Sequence, residues 1–300
     1  MKQAFLRTAL AAVLTVAVSS AAVAQLTPDD GKSMGGGDCA ANKFNCRDTP
    51  NPLPKTDTVW LEKMTWMDVR DAMAAGKKTA IIPTGGMEPN GPWLTLGKHN
   101  WVLETNCEAI AKSLGDALCA PVVKFVPEGG HNPRTGHMLT MGTISVTPAT
   151  YEALLTDIAL SLKVNGFERI FFIGDSGGNL KPAALVGQKL SDAKTLVASI
   201  SEYYDYDSVE KLLRGKGVLT AKNPNDGLHD SVGITLNILA NHPSEVRLDE
   251  RIKTNTATLA GVSFADKAAS KKLADEVIAF RTKVTVDAMK KLIAAKAQAK

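Results

Sequence analysis

The chain has 300 residues, a formal net charge of +4 and 44% hydrophobic residues, which is an ordinary composition for a globular protein. This length allows one large or two small domains with a sizeable core. The small net charge does not indicate nucleic-acid binding. The four cysteines lack the C-x-x-C spacing of a structural zinc site.

Residues 1–24 have the organisation of a secretory signal peptide. Lys2 and Arg7 supply a positive start, residues 8–18 form a short apolar run, and Ala22-Val23-Ala24 is an A-x-A cleavage site. The apolar run is too short to span a bilayer comfortably, and no second such run follows. We therefore expect a periplasmic or secreted protein that has no membrane attachment after cleavage.

Residues 25–58 are predicted to form an extended segment. Three consecutive glycines at positions 35–37 and three prolines within positions 50–54 argue against regular structure there. Cys39 and Cys46 lie in this segment, which lacks a core of its own, and export permits disulfides. We therefore predict a disulfide between Cys39 and Cys46. The two later cysteines could also pair, but their spacing does not decide this.

Residues 59–300 are predicted to form one domain in which strands alternate with helices. The predicted elements in chain order are a helix over Trp66–Ala75, a strand over Thr79–Pro83, a helix over Asn100–Leu114, a strand over Ala120–Val126, a helix from Pro148 to Asn165, a strand over Arg169–Ile173 followed by a helix, a strand over Thr195–Ile200, and helices over Val232–Ala240 and Ala265–Ala294. This alternation predicts a mostly parallel sheet with helices on both faces.

Two turns follow predicted strands and are rich in glycine and polar side chains. They cover residues 84–100 and residues 174–179. In open parallel sheets, ligands bind outside the carboxyl ends of the strands. The sequence therefore predicts a functional site where these two turns meet.

Four segments resemble the creatininase (creatinine amidohydrolase) family. Residues 83–99 read P-T-G-G-M-E-P-N-G-P-W-L-T-L-G-K-H, close to the family signature P-x-G-S-x-E-Q-H-G-P-H-L-P-L-G-T-D. His137 with the G-T-I-S of residues 142–145 resembles H-x-x-F-P-G-T-I-S, and residues 174–179 stand where the family has N-G-H-G-G-N. His229 and the residues after it resemble H-A-G-E-x-E-T-S. Four segments in register are specific.

This resemblance implies a three-layer α/β/α fold, amide hydrolysis at a two-metal centre and a ring-like homo-oligomer. The metal ligands of the family, however, are mostly replaced. Glu88 is kept, but Asn90 stands at the first histidine, His99 at the bridging aspartate and Ser176 at the second histidine. A carboxylate can bridge two cations, whereas a neutral imidazole binds only one. We therefore expect that the two-metal centre has not survived as such.

A smaller metal centre is the first functional hypothesis. Glu88, His99 and Asp175 are sufficient ligand types for one divalent cation, Zn or Mn, with an open position. With such a cation the protein would hydrolyse a small non-peptide or cyclic amide, and His229 would pass a proton to the leaving nitrogen. The predicted substrate contacts are Asn90, His137 and, through backbone N–H groups at a helix start, Gly177 and Gly178.

Two alternatives remain open from the residues alone. The first is an exported, catalytically inactive small-molecule-binding protein whose polar cleft holds no metal. The second is a nucleophilic Ser176 with His229 or His137 as its base, because strand-turn-helix elbows expose such residues. The string G-D-S-G-G around Ser176 also occurs in chymotrypsin-like proteases. Those enzymes are β-barrels with an upstream Ala-Ala-His-Cys segment that this chain lacks.

Export is tested by the intact mass of the protein purified from its native host. We expect the mature chain to begin at Gln25, because cleavage follows Ala24. A mature chain that still begins at Met1 would contradict the predicted localisation.

Overall fold

The computed structural model describes residues 39, 41–222 and 230–298. The chain divides into two compact units, Met1–Pro54 and Lys55–Lys300. In the first unit, Cys39 and Cys46 form a disulfide, which confirms the predicted pairing. The predicted signal peptide and His229 lie outside the described residues.

The second unit alternates strands with helices, as predicted. Its elements are α1 (Trp66–Ala74), β1 (Thr79–Thr84), α2 (Lys98–Leu114), β2 (Ala117–Cys119), α3 (Pro148–Val164), β3 (Arg169–Gly174), α4 (Gly177–Leu190), β4 (Leu196–Ser199), α5 (Tyr206–Gly215), α6 (Val232–Leu239), α7 (Leu248–Lys253), β5 (Thr258–Leu259), β6 (Val262–Ser263) and α8 (Lys267–Gln298). Among the described residues, no helix is both long and apolar enough to cross a bilayer.

The main sheet has the strand order β2-β1-β3-β4, and all its neighbouring strands are parallel. Right-handed crossovers place α2 on one face of this sheet and α3 and α4 on the other. In agreement, α3 packs against α4, whereas α2 packs against α6 and α8. All six residues of β1 are buried, as expected for a strand that is covered on both faces. The predicted α/β class with three α/β/α layers is therefore confirmed.

Helix α8 contributes to two hydrophobic cores. Val286 and Met289 join the core that surrounds the main sheet. Ala274 and Val277 join a second core with residues of α5 and α6. The stretch of α8 between these two pairs therefore lies where the cores meet.

Two element boundaries differ from the prediction in ways that matter for the site. Helix α2 begins at Lys98, so His99 belongs to its first turn and not to the preceding loop. The strand predicted over Ala120–Val126 is wrong, because β2 ends at Cys119 and only Val123 makes an isolated bridge, to Thr84. Pro121 interrupts this stretch, since proline has no N–H to donate to a ladder.

The disulfide between Cys107 and Cys119 joins α2 to β2 within the main core, where both cysteines are fully buried. A variant with Cys107→Ala and Cys119→Ala should lose about 2–4 kcal/mol of unfolding free energy. Urea denaturation measures this loss. The control variant, Cys39→Ala with Cys46→Ala, removes a disulfide outside this core and should leave the main transition in place. Equal midpoints for the wild type and the core variant would contradict the prediction.

Candidate functional site

The site lies at the carboxyl ends of β1 and β3. These strands are neighbours, with Thr84 paired to Gly174, and their connections lead to opposite edges of the sheet. Such a switch point opens a crevice in parallel sheets. Glu88 follows β1 by four residues, and Asp175 follows β3 directly. The two turns singled out in the sequence therefore meet here.

His99 lies between two buried carboxylates. Its Nδ1 is 2.8 Å from Oδ2 of Asp175, and its Nε2 is 2.8 Å from Oε1 of Glu88. All three side chains are almost inaccessible to solvent. Burial alone would lower the pKa of His99, but the hydrogen bonds to Asp175 and Glu88 outweigh it and raise the pKa. The ring is therefore best described as an imidazolium that donates to both carboxylates.

Two further cations complete this buried network. Nζ of Lys98 is 2.8 Å from Oε1 of Glu88, and Nη2 of Arg281 is 3.0 Å from Oδ1 of Asp175. Burial would raise the pKa of each carboxyl. It is outweighed at Glu88 by His99 and Lys98, and at Asp175 by His99 and Arg281, so both pKa values are lowered. Each ionised carboxylate thus contacts two basic side chains, of which Lys98 has its pKa lowered by burial.

A second cluster shares Glu88 with this network and opens toward solvent. Nδ1 of His137 lies 2.6 Å from Oε2 of Glu88 and 3.1 Å from Oε2 of Glu128. Ligand atoms of these three residues all lie within 4.8 Å of one another. The side chain of His137 is 33% exposed, whereas both carboxylates are buried. This is the one group of three potential metal ligands found among the described residues.

Glu128 is held in an environment that disfavours its charged form. Burial, followed by the negative charge of Glu88, raises its pKa to about 9. Oε1 of Glu128 has no hydrogen-bond partner within the described part of the chain. A Cβ at Gly86 would lie 2.1 Å from this oxygen, so only glycine leaves room for the carboxyl group. Ser145 Oγ accepts hydrogen bonds from the N–H groups of Glu128 and Gly129 and fixes the segment.

The remaining predicted site residues surround the crevice. Asn90 is buried, and its Nδ2 donates to the carbonyl oxygens of Glu88 and Thr95, so it supports the loop that carries Glu88. Gly177 and Gly178 are exposed at the start of α4. Their Cβ positions would lie 3.5 Å from Oη of Tyr204 and 3.0 Å from the carbonyl oxygen of Pro127, respectively. The start of α4 therefore lies beside the segment that carries Glu128.

Ser176 precedes α4 and is 7% exposed. Within the described residues, no side chain makes a hydrogen bond with its hydroxyl group. One of its two suggested bases, His137, instead contacts Glu88 and Glu128. The other, His229, lies outside the described residues. The nucleophilic role of Ser176 thus stays a prediction without a described base.

The comparisons with known proteins agree on one family. The model of the creatininase family, described as creatinine amidohydrolase, matches residues 62–299. Creatinine amidohydrolase of Pseudomonas putida is 24% identical over 210 residues, covering 67% of this chain and 78% of that protein. A solved creatininase mutant of Zn-Zn type has a TM-score of 0.60 at 18% identity, covering 79% of this chain and 98% of that one. A creatininase mutant complexed with creatine has a TM-score of 0.56 at 21% identity, covering 78% and 98%.

The fold and the site define a three-layer α/β protein with a polar centre at the switch point of its parallel sheet. Because the family model covers most of the domain, the chain belongs to the creatininase family.

The residues present do not fit the two-metal arrangement of the family. Asn90 is engaged with backbone carbonyls, Ser176 offers only a hydroxyl, and both nitrogens of His99 contact carboxylates. The three predicted ligands Glu88, His99 and Asp175 do come together, but as a carboxylate–imidazole–carboxylate chain. The donor set that fits one cation is instead Glu88, Glu128 and His137, whose ligand atoms lie within 4.8 Å of one another, and Oε1 of Glu128 has no hydrogen-bond partner among the described residues.

Sequence reasoning missed Lys98, Glu128 and Arg281. Arg281 lies in the helix predicted over Ala265–Ala294 and Lys98 in the predicted turn of residues 84–100, and neither local pattern separates the residue from an ordinary surface cation. Glu128 precedes the glycine pair Gly129-Gly130, and nothing in its local pattern distinguishes it from a loop carboxylate.

The raised pKa of Glu128 has a measurable consequence for the metal-free protein. Because folding raises this pKa from 4.5 to about 9, the folded state holds a proton that the unfolded state releases. The contribution of Glu128 to the unfolding free energy is therefore fully present below pH 4.5 and is lost as the pH rises toward 9. In excess chelator, Glu128→Gln should weaken this fall of the urea midpoint between pH 5 and pH 9. Identical pH profiles for the wild type and the variant would contradict the assignment.

Proposed function

We propose that this protein hydrolyses a small non-peptide or cyclic amide, using one divalent cation, Zn or Mn, held by Glu88, Glu128 and His137. The observation that carries the proposal is the convergence of these three side chains at the carboxyl end of the sheet. Carboxylate and imidazole are suitable ligands for either ion. When bound, such an ion polarises a carbonyl group and lowers the pKa of water.

Residues around the cluster prepare it for a cation. Lys98 and His99 keep Glu88 ionised, which a ligand carboxylate requires. Both cations contact Oε1 of Glu88, so Oε2 remains directed toward His137. Glu128 would release its proton on metal binding, because the ion would take the place of that proton between Glu88 and Glu128.

The reaction adds the oxygen of water to the carbonyl carbon, breaks the C–N bond and places a proton on the leaving nitrogen. The exposed N–H groups of Gly177 and Gly178 at the start of α4 would stabilise the negative charge that develops on the carbonyl oxygen. His229 remains the proposed donor of the proton to the leaving nitrogen. Its place is supported only by the family resemblance, since it lies outside the described residues.

A second candidate is an exported, catalytically inactive small-molecule-binding protein on the same fold. The observation that favours it is the buried chain of Glu88, His99 and Asp175, whose charges are balanced by side chains without any ion. In both cases the partner is a small molecule. Export after cleavage at Ala24 is part of the proposal, and the two disulfides suit an oxidising compartment. A homo-oligomer is proposed from the family resemblance alone.

Metal content and turnover together test the proposal. The mature protein, purified without affinity tag or chelator, should hold at most one divalent ion per chain by elemental analysis. Glu128→Gln should lower the affinity for that ion at least tenfold, because a ligand carboxylate becomes a neutral amide. The release of amine or ammonia from a panel of small linear and cyclic amides should fall in parallel.

Glu104→Gln serves as the matched control. Glu104 also lies near a histidine, with Oε2 at 3.6 Å from Nε2 of His242, but it is outside the proposed site. This variant should keep both metal and turnover. Two ions per wild-type chain would refute the single-ion site. Absence of metal after loading, with a small molecule retained but not hydrolysed, would instead support the binding protein.

A further inference from the structure

We infer that Arg281 of α8 is a positioning residue for the proposed metal site, acting on Glu88 through Asp175 and His99. The inference extends the proposed function, because it rests on Glu88 being a metal ligand. The residues Arg281, Tyr206, Asp175 and His99 are called the positioning network below. They join the long C-terminal helix to the site by an unbroken series of hydrogen bonds.

Arg281 is fixed from several sides. It is 3% exposed, and its guanidinium carbon lies 4.2 Å and 4.5 Å from the ring centroids of Tyr203 and Tyr206. Nη2 donates to the carbonyl oxygen of Tyr203 at 2.8 Å, and Nη1 lies 3.2 Å from Oδ1 of Asn237. A planar guanidinium presents its N–H groups in a rigid fork, so these contacts together fix its orientation. The remaining contact of Nη2 is with Asp175.

The two oxygens of Asp175 have different partners: one contacts Arg281 and Tyr206, and the other contacts His99. Oδ1 accepts from Nη2 of Arg281 at 3.0 Å and from the hydroxyl of Tyr206 at 2.8 Å. Oδ2 is then left to face Nδ1 of His99 at 2.8 Å. Two donors on one oxygen fix the rotation of the carboxylate, and the carboxylate in turn fixes the plane of the imidazole ring.

The imidazole passes this orientation to the ligand. With Nδ1 on Asp175, Nε2 of His99 holds Oε1 of Glu88, and Oε2 is directed at His137. Residues that orient metal ligands through hydrogen bonds typically change metal affinity by about 10–100-fold when they are mutated. His99 has this role at Glu88, and Arg281 acts on His99 through Asp175. It lies on α8 where the two cores meet, so the helix that joins the cores also sets the geometry of the site.

Arg251 provides a matched control. It is fully buried and also pairs with an aspartate, since its Nη2 lies 2.9 Å from Oδ1 and 3.0 Å from Oδ2 of Asp230. Its Nε donates to the carbonyl oxygen of Val246. None of these hydrogen bonds involves the positioning network. A general loss of a buried arginine can therefore be separated from the loss of this particular one.

The experiment compares Arg281→Met, Tyr206→Phe and Arg251→Met with the wild type. Zn or Mn affinity is measured by calorimetry on variants that are shown to be folded. The imidazole N–H proton signals of His99, assigned with a His99→Gln variant, are recorded by NMR in the metal-free protein. Arg281→Met should weaken metal binding about 10-fold, the lower end of the range for direct partners of a ligand, and displace the His99 signals. Tyr206→Phe, which removes one hydroxyl, should act in the same direction but less strongly.

Arg251→Met should lower the urea midpoint but leave the metal affinity and the His99 signals unchanged. If Arg281→Met does not fold, Tyr206→Phe decides the question. Wild-type affinity and unshifted His99 signals in the folded network variants would overturn the inference. If the wild type binds no metal, the proposed metal site fails, whereas the His99 signals still show whether Arg281 orients the imidazole.

Discussion

The site depends on how two ionised carboxylates are neutralised in the interior. Glu88 and Asp175 are 1% and 0% exposed, and removing an ion from water costs several kcal/mol even after relaxation. His99 lies between them, and its two ring nitrogens contact both carboxylates. Lys98 also contacts Oε1 of Glu88, and Arg281 contacts the other oxygen of Asp175. Each carboxylate contacts two of these side chains and His99 contacts both carboxylates, so the five residues form one connected network.

This unit ties together parts of the chain that are far apart in sequence. Glu88 follows β1, His99 begins α2, Asp175 follows β3 and Arg281 lies in the middle of α8. Four elements from both the sheet and one helical layer thus share a single buried centre. Buried ion pairs are weak evidence for net stability. Here their hydrogen bonds hold Oε1 of Glu88 against Lys98 and His99.

The two carboxylate oxygens of Glu88 face different surroundings. His99 lies on the sealed side, where its hydrogen bonds to Asp175 and Glu88 raise its pKa and favour the positively charged ring. The sealed side of Glu88 is therefore occupied by protein cations. The open side holds Glu128 and the partly exposed His137, whose Nδ1 lies 2.6 Å from Oε2 of Glu88 and 3.1 Å from Oε2 of Glu128. The site thus has a side of Glu88 that is sealed by protein side chains and a side that opens toward solvent.

The sequence alone determined the α/β class, the order of most elements and the meeting of the turns after β1 and β3. Those features follow from apolar periodicity and from strand direction, which are local properties. The partners of Glu88 were decided only by the tertiary structure. Glu128 follows Glu88 by 40 residues and lies in a loop with no distinctive pattern. Arg281 contacts Asp175, which is 106 residues away in the sequence. The network is set by packing of α8 against α2 and α6, which no local pattern encodes.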